Sequence, residues 1–178
     1  MDSQLKNLLG NMFDTIGQTM SALANTPSIA NDKQWTFQLN LWGNVFQATG
    51  AALVADSIER VSFEKLGNQL ESAGNLASVI SILLPFSDEE RVELEKEGDI
   101  VETLGVIVSL PDELEEGFTL ELFLDLYGHL LQVIEIKDVD EELIQLISEW
   151  TQALASILSL WSALKEYSTN KSSPSSSA

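Results

Sequence analysis

The chain has 178 residues, no cysteine and a net charge of −19. That length suits one domain with a sizeable core, and the missing cysteines exclude disulfides and thiolate chemistry. Nine basic residues against 28 acids leave too few to grip a phosphate backbone, which excludes direct nucleic-acid binding. The N-terminal Met-Asp-Ser-Gln-Leu-Lys-Asn lacks the basic stretch and apolar run of a signal peptide, so a cytoplasmic location is the default expectation.

Caps and prolines divide the chain into six predicted helices. The first spans about 3–25 and stops before Pro27. The second covers about 32–60, starting at Asn31 or Asp32, and the third runs from Ser62 to Pro85. Ser87-Asp88-Glu89-Glu90 reads as a capping box opening a fourth helix over about 88–109. Pro111 is expected to break the chain and leave 111–118 as one acidic turn. The fifth helix begins near Thr119 and reaches about 136; the sixth begins at Asp138 or Asp140 and reaches about 168. Residues 1–168 are therefore one helical-repeat domain, and 169–178 a disordered Ser-rich tail. Short connections make sequential helices antiparallel. The expected fold is all-α, with six antiparallel helices in a bundle or a short array of hairpins.

A short phrase aligns these helices. Gly10-Asn11 is followed by Gly17, Gly43-Asn44 by Gly50, Gly67-Asn68 by Gly74, and Gly98-Asp99 by Gly105. A 4–3 apolar rhythm runs through each copy, as in Leu39, Trp42, Phe46, Thr49 and Leu53, which is helical periodicity. A fifth copy centres on Gly128 with Glu135 in the second glycine place, and a sixth has Thr151 in the glycine place. The spacing averages roughly 30 residues, the range of helical repeats.

A helical glycine costs about 1 kcal/mol relative to alanine. Eight of them cost roughly as much as a whole domain's net stability, so packing must offset them. Seven residues turn a helix about 700°, which puts both glycines of a pair on one face. Gly10, Gly17, Gly43, Gly50, Gly67, Gly74, Gly98 and Gly105 are accordingly expected to be structural helix-packing residues at close helix approaches. The Asn after each first glycine lies about 100° round the helix, where its amide is expected to bond a neighbouring helix. Small residues at regular spacing also let helices associate in lipid, and Gln34 to Ala55 is free of charge over 22 residues. Its Gln34, Gln38, Asn40, Asn44 and Gln47, together with the acidic composition, argue against a constitutive span.

Little points to chemistry. His129 is the lone histidine, no Gly-rich phosphate loop is present, and no cofactor or metal is expected. Glu121, Asp125 and His129 share a helix face that suits a metal ligand set, but the Glu-x-x-His pairs of a di-metal bundle are missing; the plainer reading is a partly exposed polar stripe. Asp112, Glu113, Glu115 and Glu116 read as surface charge. Trp35, Trp42, Trp150 and Trp161 lie in the second and sixth helices and are expected in the core, with those two helices touching to close the bundle; an aromatic groove for a ligand or partner is the other reading.

The phrase Leu-x-Gly-Asn-x5-Gly, fullest around Trp42-Gly43-Asn44 and Ala48-Thr49-Gly50, resembles a family of repetitive, all-helical proteins of unknown function from Gram-positive bacteria. The resemblance implies the fold and brings no activity. It is fainter to secreted helical-hairpin proteins of the same bacteria, whose Trp-x-Gly turn is absent here. The expected function is a non-enzymatic interaction or structural protein. Residues 87–168, which hold 21 of the acids, offer a surface for a protein partner or self-association. The alternatives are a conditional membrane-active helical protein and, third, a ligand carrier with an inter-helix pocket.

Overall fold

The computed structural model describes residues 1–134 and 139–172. These form α1 (Ser3–Ala24), α2 (Pro27–Ala30), α3 (Lys33–Ser57), α4 (Phe63–Leu83), α5 (Asp88–Glu116), α6 (Leu120–Val133) and α7 (Glu141–Ser172). The class is all-α, but the helices described number seven rather than six. Pro27 does close off the first helix, yet it also opens the extra one: it occupies the first turn of α2, where a missing N–H costs nothing.

Side-chain caps set most starts. Asp32 accepts from the backbone N–H groups of Gln34 and Trp35, Ser62 from Lys65 and Thr119 from Leu122. Ser87 and Glu90 make a reciprocal capping box at the head of α5. The expected break at Pro111 does not occur, because α5 continues through it to Glu116. The proline removes a single N–H donor near the helix end, and that turn is braced from outside: Asp112 Oδ2 accepts from the Glu64 backbone N–H at 2.8 Å, capping the start of α4. Gly117, at φ 119°, ends the helix in the left-handed region. Helix α7 extends past the expected boundary at 168 to Ser172. The rest of the Ser-rich tail, Glu135 in a glycine place and Asp138 as a helix start lie outside the described residues.

The six long helices close into a ring. In order, α1 packs on α3, α3 on α4, α4 on α5, α5 on α6, α6 on α7, and α7 back on α1. Closure thus runs through α1 and α7; among the described residues α3 and α7, which carry the tryptophans, do not touch. Three antiparallel hairpins (α1–α3, α4–α5 and α6–α7) build the ring.

The glycines make the seams of the first two hairpins. A Cβ on Gly17 would lie 2.6 Å from the Gly43 carbonyl oxygen, and one on Gly50 2.7 Å from that of Gly10. In the second hairpin Gly67 faces the Gly105 carbonyl at 2.5 Å and Gly74 that of Gly98 at 2.6 Å. Each glycine therefore meets a glycine across the seam, backbone on backbone, at separations that no side chain tolerates. The third hairpin differs. Gly128 faces Gln152 and the Ser148 carbonyl, so the glycine place of α7 is held by Ser148 rather than Thr151.

The asparagines do not cross the seams. Asn11, Asn44, Asn68 and Asn75 each donate to the carbonyl four residues back on their own helix. Between hairpins the ties are hydroxyl groups on backbone carbonyls: Ser72 Oγ donates to Ala48, Thr103 Oγ1 to His129, and Thr15 Oγ1 to Ser156.

Candidate functional site

The ring has an unusual inside. Its fully or nearly buried side chains include Gln18, Gln47, Asn75, Glu102, His129, Glu149 and Gln152, and its buried apolar residues are mostly alanines. The outside carries the large apolar side chains. Phe37, Trp42, Leu66, Leu76, Ile80, Ile100, Leu104, Ile107, Phe123, Tyr127, Ile147, Leu154, Ile157 and Trp161 are all exposed. The apolar rhythm that marks every repeat points outward: none of Leu39, Trp42, Phe46, Leu53, Leu66, Leu70, Val101, Leu104, Leu154 or Ile157 is buried. All four tryptophans are exposed, from 39% for Trp150 to 69% for Trp161, so the expectation of tryptophans in the core is corrected.

Charge follows the same division. Exposed charged residues gather at the two rims: Asp32, Lys33, Asp88, Glu89, Glu141 and Glu142 at one, and Asp2, Asp56, Glu59, Arg60, Lys165 and Glu166 at the other. Between the rims the exposed surface of α1, α3, α4, α6 and α7 carries no charge; on α5, Glu93, Lys96 and Glu97 are exposed, reaching about 13 Å into the helix from Asp88. The apolar outer stretch covers about 30 Å of α7 from Leu143 to Leu164 and about 26 Å of α4 from Leu66 to Leu83. By length and hydropathy, α7 is the one helix apolar enough to cross a membrane among the described residues. The others devote a whole face to polar interior groups, which lowers their average.

Two cavities enter the ring from opposite rims, and all six long helices line each of them. One, of about 920 Å³, is lined by Asn44, Gln47, Asp99, Glu102, Glu149 and Gln152 among others. The other, of about 810 Å³, is lined by Asn11, Asp14, Asn68, Glu71, Glu121 and Asp125 among others. The residue after each repeat glycine lines these vestibules in Asn11, Asn44, Asn68 and Asp99. His129, after Gly128, holds the same place in the repeat and is 3% exposed.

His129 ties the two cavities together electrically. Its Nδ1 donates to the Asp125 backbone carbonyl at 3.0 Å and lies 3.4 Å from the Asp125 carboxylate. Asp14, Glu71 and Asp125 act on the ring from one vestibule, and Asp99, Glu102 and Glu149 from the other. The polar stripe Glu121, Asp125, His129 is therefore interior rather than surface, with Glu121 Oε1 accepting from Ser159 Oγ of α7 at 2.6 Å. Among the described residues no group of three or more His, Asp or Glu is placed to hold a metal ion. Periodicity alone did not bring Asp14, Glu71, Glu102 and Glu149 together. The signal was present in the repeat, since Asp14, Glu71 and Glu102 each lie four residues after a repeat glycine.

At the rims, electrostatics is local. Lys6 Nζ meets Asp56 Oδ2 at 2.6 Å, and that hydrogen bond and charge hold the Asp56 carboxyl below its ordinary range. Hydrogen bonds from the Ser87 backbone and hydroxyl hold Glu90 low. Glu113, at the mouth of the smaller vestibule, is pushed up to about 7, chiefly by burial, with Asp125, Glu64 and Glu121 adding to it.

No curated protein and no solved structure matches the chain. A family model does match, over residues 5–160, and its description is a family of unknown function, DUF6944. With most of its length covered by that match, the chain belongs to DUF6944, an all-helical family of unknown function.

Proposed function

We propose that this protein is a membrane-embedded helical barrel that holds a polar, acidic passage between its two faces and carries out no covalent chemistry. The observation that supports it is the inverted distribution of side chains. A water-soluble bundle buries its apolar stripe and exposes its polar one. This ring buries glutamines, serines and carboxylates and exposes leucine, isoleucine and tryptophan on all six long helices. A protein partner covers one face; a belt around the full circumference, bounded by charge at two levels, suits a bilayer core of about 30 Å. Glycine seams and hydroxyl-to-carbonyl ties are the packing devices that hold helices together in lipid, where burial of apolar surface gives no drive. The belt is shortest at α5 and α6; on α5 the exposed Glu93, Lys96 and Glu97 call for snorkelling and local thinning of the bilayer.

That reading departs from the cytoplasmic default and takes up the membrane-active alternative. Its test is flotation of the full chain with vesicles after an alkaline carbonate wash. Co-flotation is expected; recovery in the soluble fraction, monodisperse without detergent, would sink the proposal. A second reading keeps a protein partner or a second copy, docked on the acidic rim where Asp88, Glu89, Glu90, Asp140, Glu141 and Glu142 collect. A rim complex held by charge would dissociate as salt rises. Light scattering across a salt series separates the two, because a lipid-driven assembly would not.

A further inference from the structure

We infer that the barrel passes protons across the membrane, with His129 as the relay between the two vestibules. This deepens the membrane reading and rests on it.

Each vestibule is open to one rim and lined by several carboxylates, among them Asp14, Glu71 and Asp125 in one and Asp99, Glu102 and Glu149 in the other. Every long helix except α3 contributes at least one of these groups. His129, 3% exposed, meets Asp125 of the one set through its ring, and its carbonyl accepts from Thr103 Oγ1 of α5, beside Glu102 of the other. Against burial, which lowers it, the Asp125, Glu71 and Glu102 carboxylates push the His129 ring up to about 10, so it rests as an imidazolium with Nδ1–H on the Asp125 carbonyl. The imidazolium gives up the Nδ1 proton to the Asp125 carboxylate, 3.4 Å away, and the neutral ring regains one from the Asp99–Glu102–Glu149 side. Asp125 lines the opposite vestibule and releases that proton to water there. One proton enters and one leaves; the gradient supplies the drive, and rotation of the ring or back-transfer resets the tautomer.

A second observation points the same way independently of the carboxylates. Gln18 and Asn75 follow the second glycines, Gly17 and Gly74, seven residues on from the vestibule-lining Asn11 and Asn68 and so on the same helix face. They are 6% and 4% exposed, and their side-chain carbonyl oxygens, Oε1 and Oδ1, accept no hydrogen bond within the protein. Buried acceptors of this kind are ordinarily satisfied by internal water. Water held there would carry protons between the mouths and the histidine. The waist suits a proton better than a hydrated ion, because side chains rather than open space separate the cavities.

The test uses the full chain reconstituted into vesicles loaded with pyranine, with a potassium diffusion potential set by valinomycin. Flotation of the same vesicles reports embedding. The expected result is embedded protein and proton uptake at least tenfold above protein-free vesicles. His129→Ala should lower that uptake tenfold or more, and added imidazole should restore part of it, which a purely structural histidine would not allow. Asp125→Asn, which preserves shape, guards against a histidine variant that fails to fold and should also lower uptake about tenfold. Embedded protein with uptake no faster than empty vesicles would overturn the inference and leave the membrane reading standing. Uptake unchanged in both variants would overturn the relay. Failure to float would overturn the membrane reading and the inference with it.

Discussion

The first two hairpins and the third solve the same packing problem with different residues. In α1–α3 and α4–α5, glycine meets glycine twice, and the backbones touch. In α6–α7, one glycine remains, and it meets a serine and a glutamine: Ser148 Oγ donates to the Gly128 carbonyl at 2.7 Å, and Gln152 Nε2 donates to Ser148 Oγ at 3.1 Å. The hairpin with the fewest glycines also carries His129, Asp125, Glu121 and Glu149. Where the repeat loses its glycines, polar side chains take over the seam; the interior carboxylates are shared between the two designs, since Asp14, Glu71, Asp99 and Glu102 stand on the glycine hairpins.

Alanine substitutions should break this comparison most visibly. Gly17→Ala and Gly67→Ala push a methyl into a partner's backbone carbonyl, so each should cost about 1–3 kcal/mol despite the better helix propensity. Gly128→Ala meets the Gln152 Cγ first, at 2.5 Å, on a buried side chain held by Ser148, with the nearest backbone atoms at 3.3 Å. Its propensity gain of about 1 kcal/mol should offset part of the repacking, and with no backbone atom under 3.3 Å the loss should be smaller than at Gly17 or Gly67. Thermal unfolding in mild detergent micelles, followed by circular dichroism, reads the difference; equal losses at all three sites would erase the distinction between the hairpins.

The hydroxyl seam gives the next effect. Ser148→Ala removes the donor to Gly128 and one acceptor for Gln152, and should lower stability by about 1 kcal/mol in the same assay. In the second hairpin Ser109 Oγ bonds locally instead, to the Val106 carbonyl at 2.9 Å. Ser109→Ala should therefore move the midpoint less than Ser148→Ala.

The smallest effect concerns a cap on the second hairpin. Ser87→Ala should cost about 1 kcal/mol or less at neutral pH. Glu90 is held below its ordinary range in the folded protein, so its contribution is present above the unfolded-state value and is lost as pH falls through the folded one. The gap in midpoint between the wild type and Ser87→Ala should therefore narrow on acidification, as a pH series of melts would show.

Much of the wall was legible in the sequence. Asp32, Ser62, Ser87 and Thr119 marked helix starts because each leaves a side-chain oxygen over unpaired N–H groups. The seven-residue glycine spacing put both glycines of a pair on one face. What stayed hidden was which face of each helix looks inward. A period of 3.6 separates an apolar stripe from a polar one but is blind to which of them the solvent touches. Counted against a membrane, Asn40, Asn44 and Gln47 are vestibule residues; Gln34 and Gln38 lie near the rim. The extra helix at Pro27 and the run through Pro111 were hidden for another reason, since proline is a stop signal only where no outside contact rescues the turn.

The orientation of the tryptophans tests the inverted wall most directly. Trp35, Trp42, Trp150 and Trp161 are all exposed on the outer surface of α3 and α7. In vesicles carrying brominated acyl chains, their fluorescence should be strongly quenched and should emit at shorter wavelength than tryptophan in water. Unquenched emission at the wavelength of solvated tryptophan, from protein that stays soluble without detergent, would contradict a lipid-facing belt.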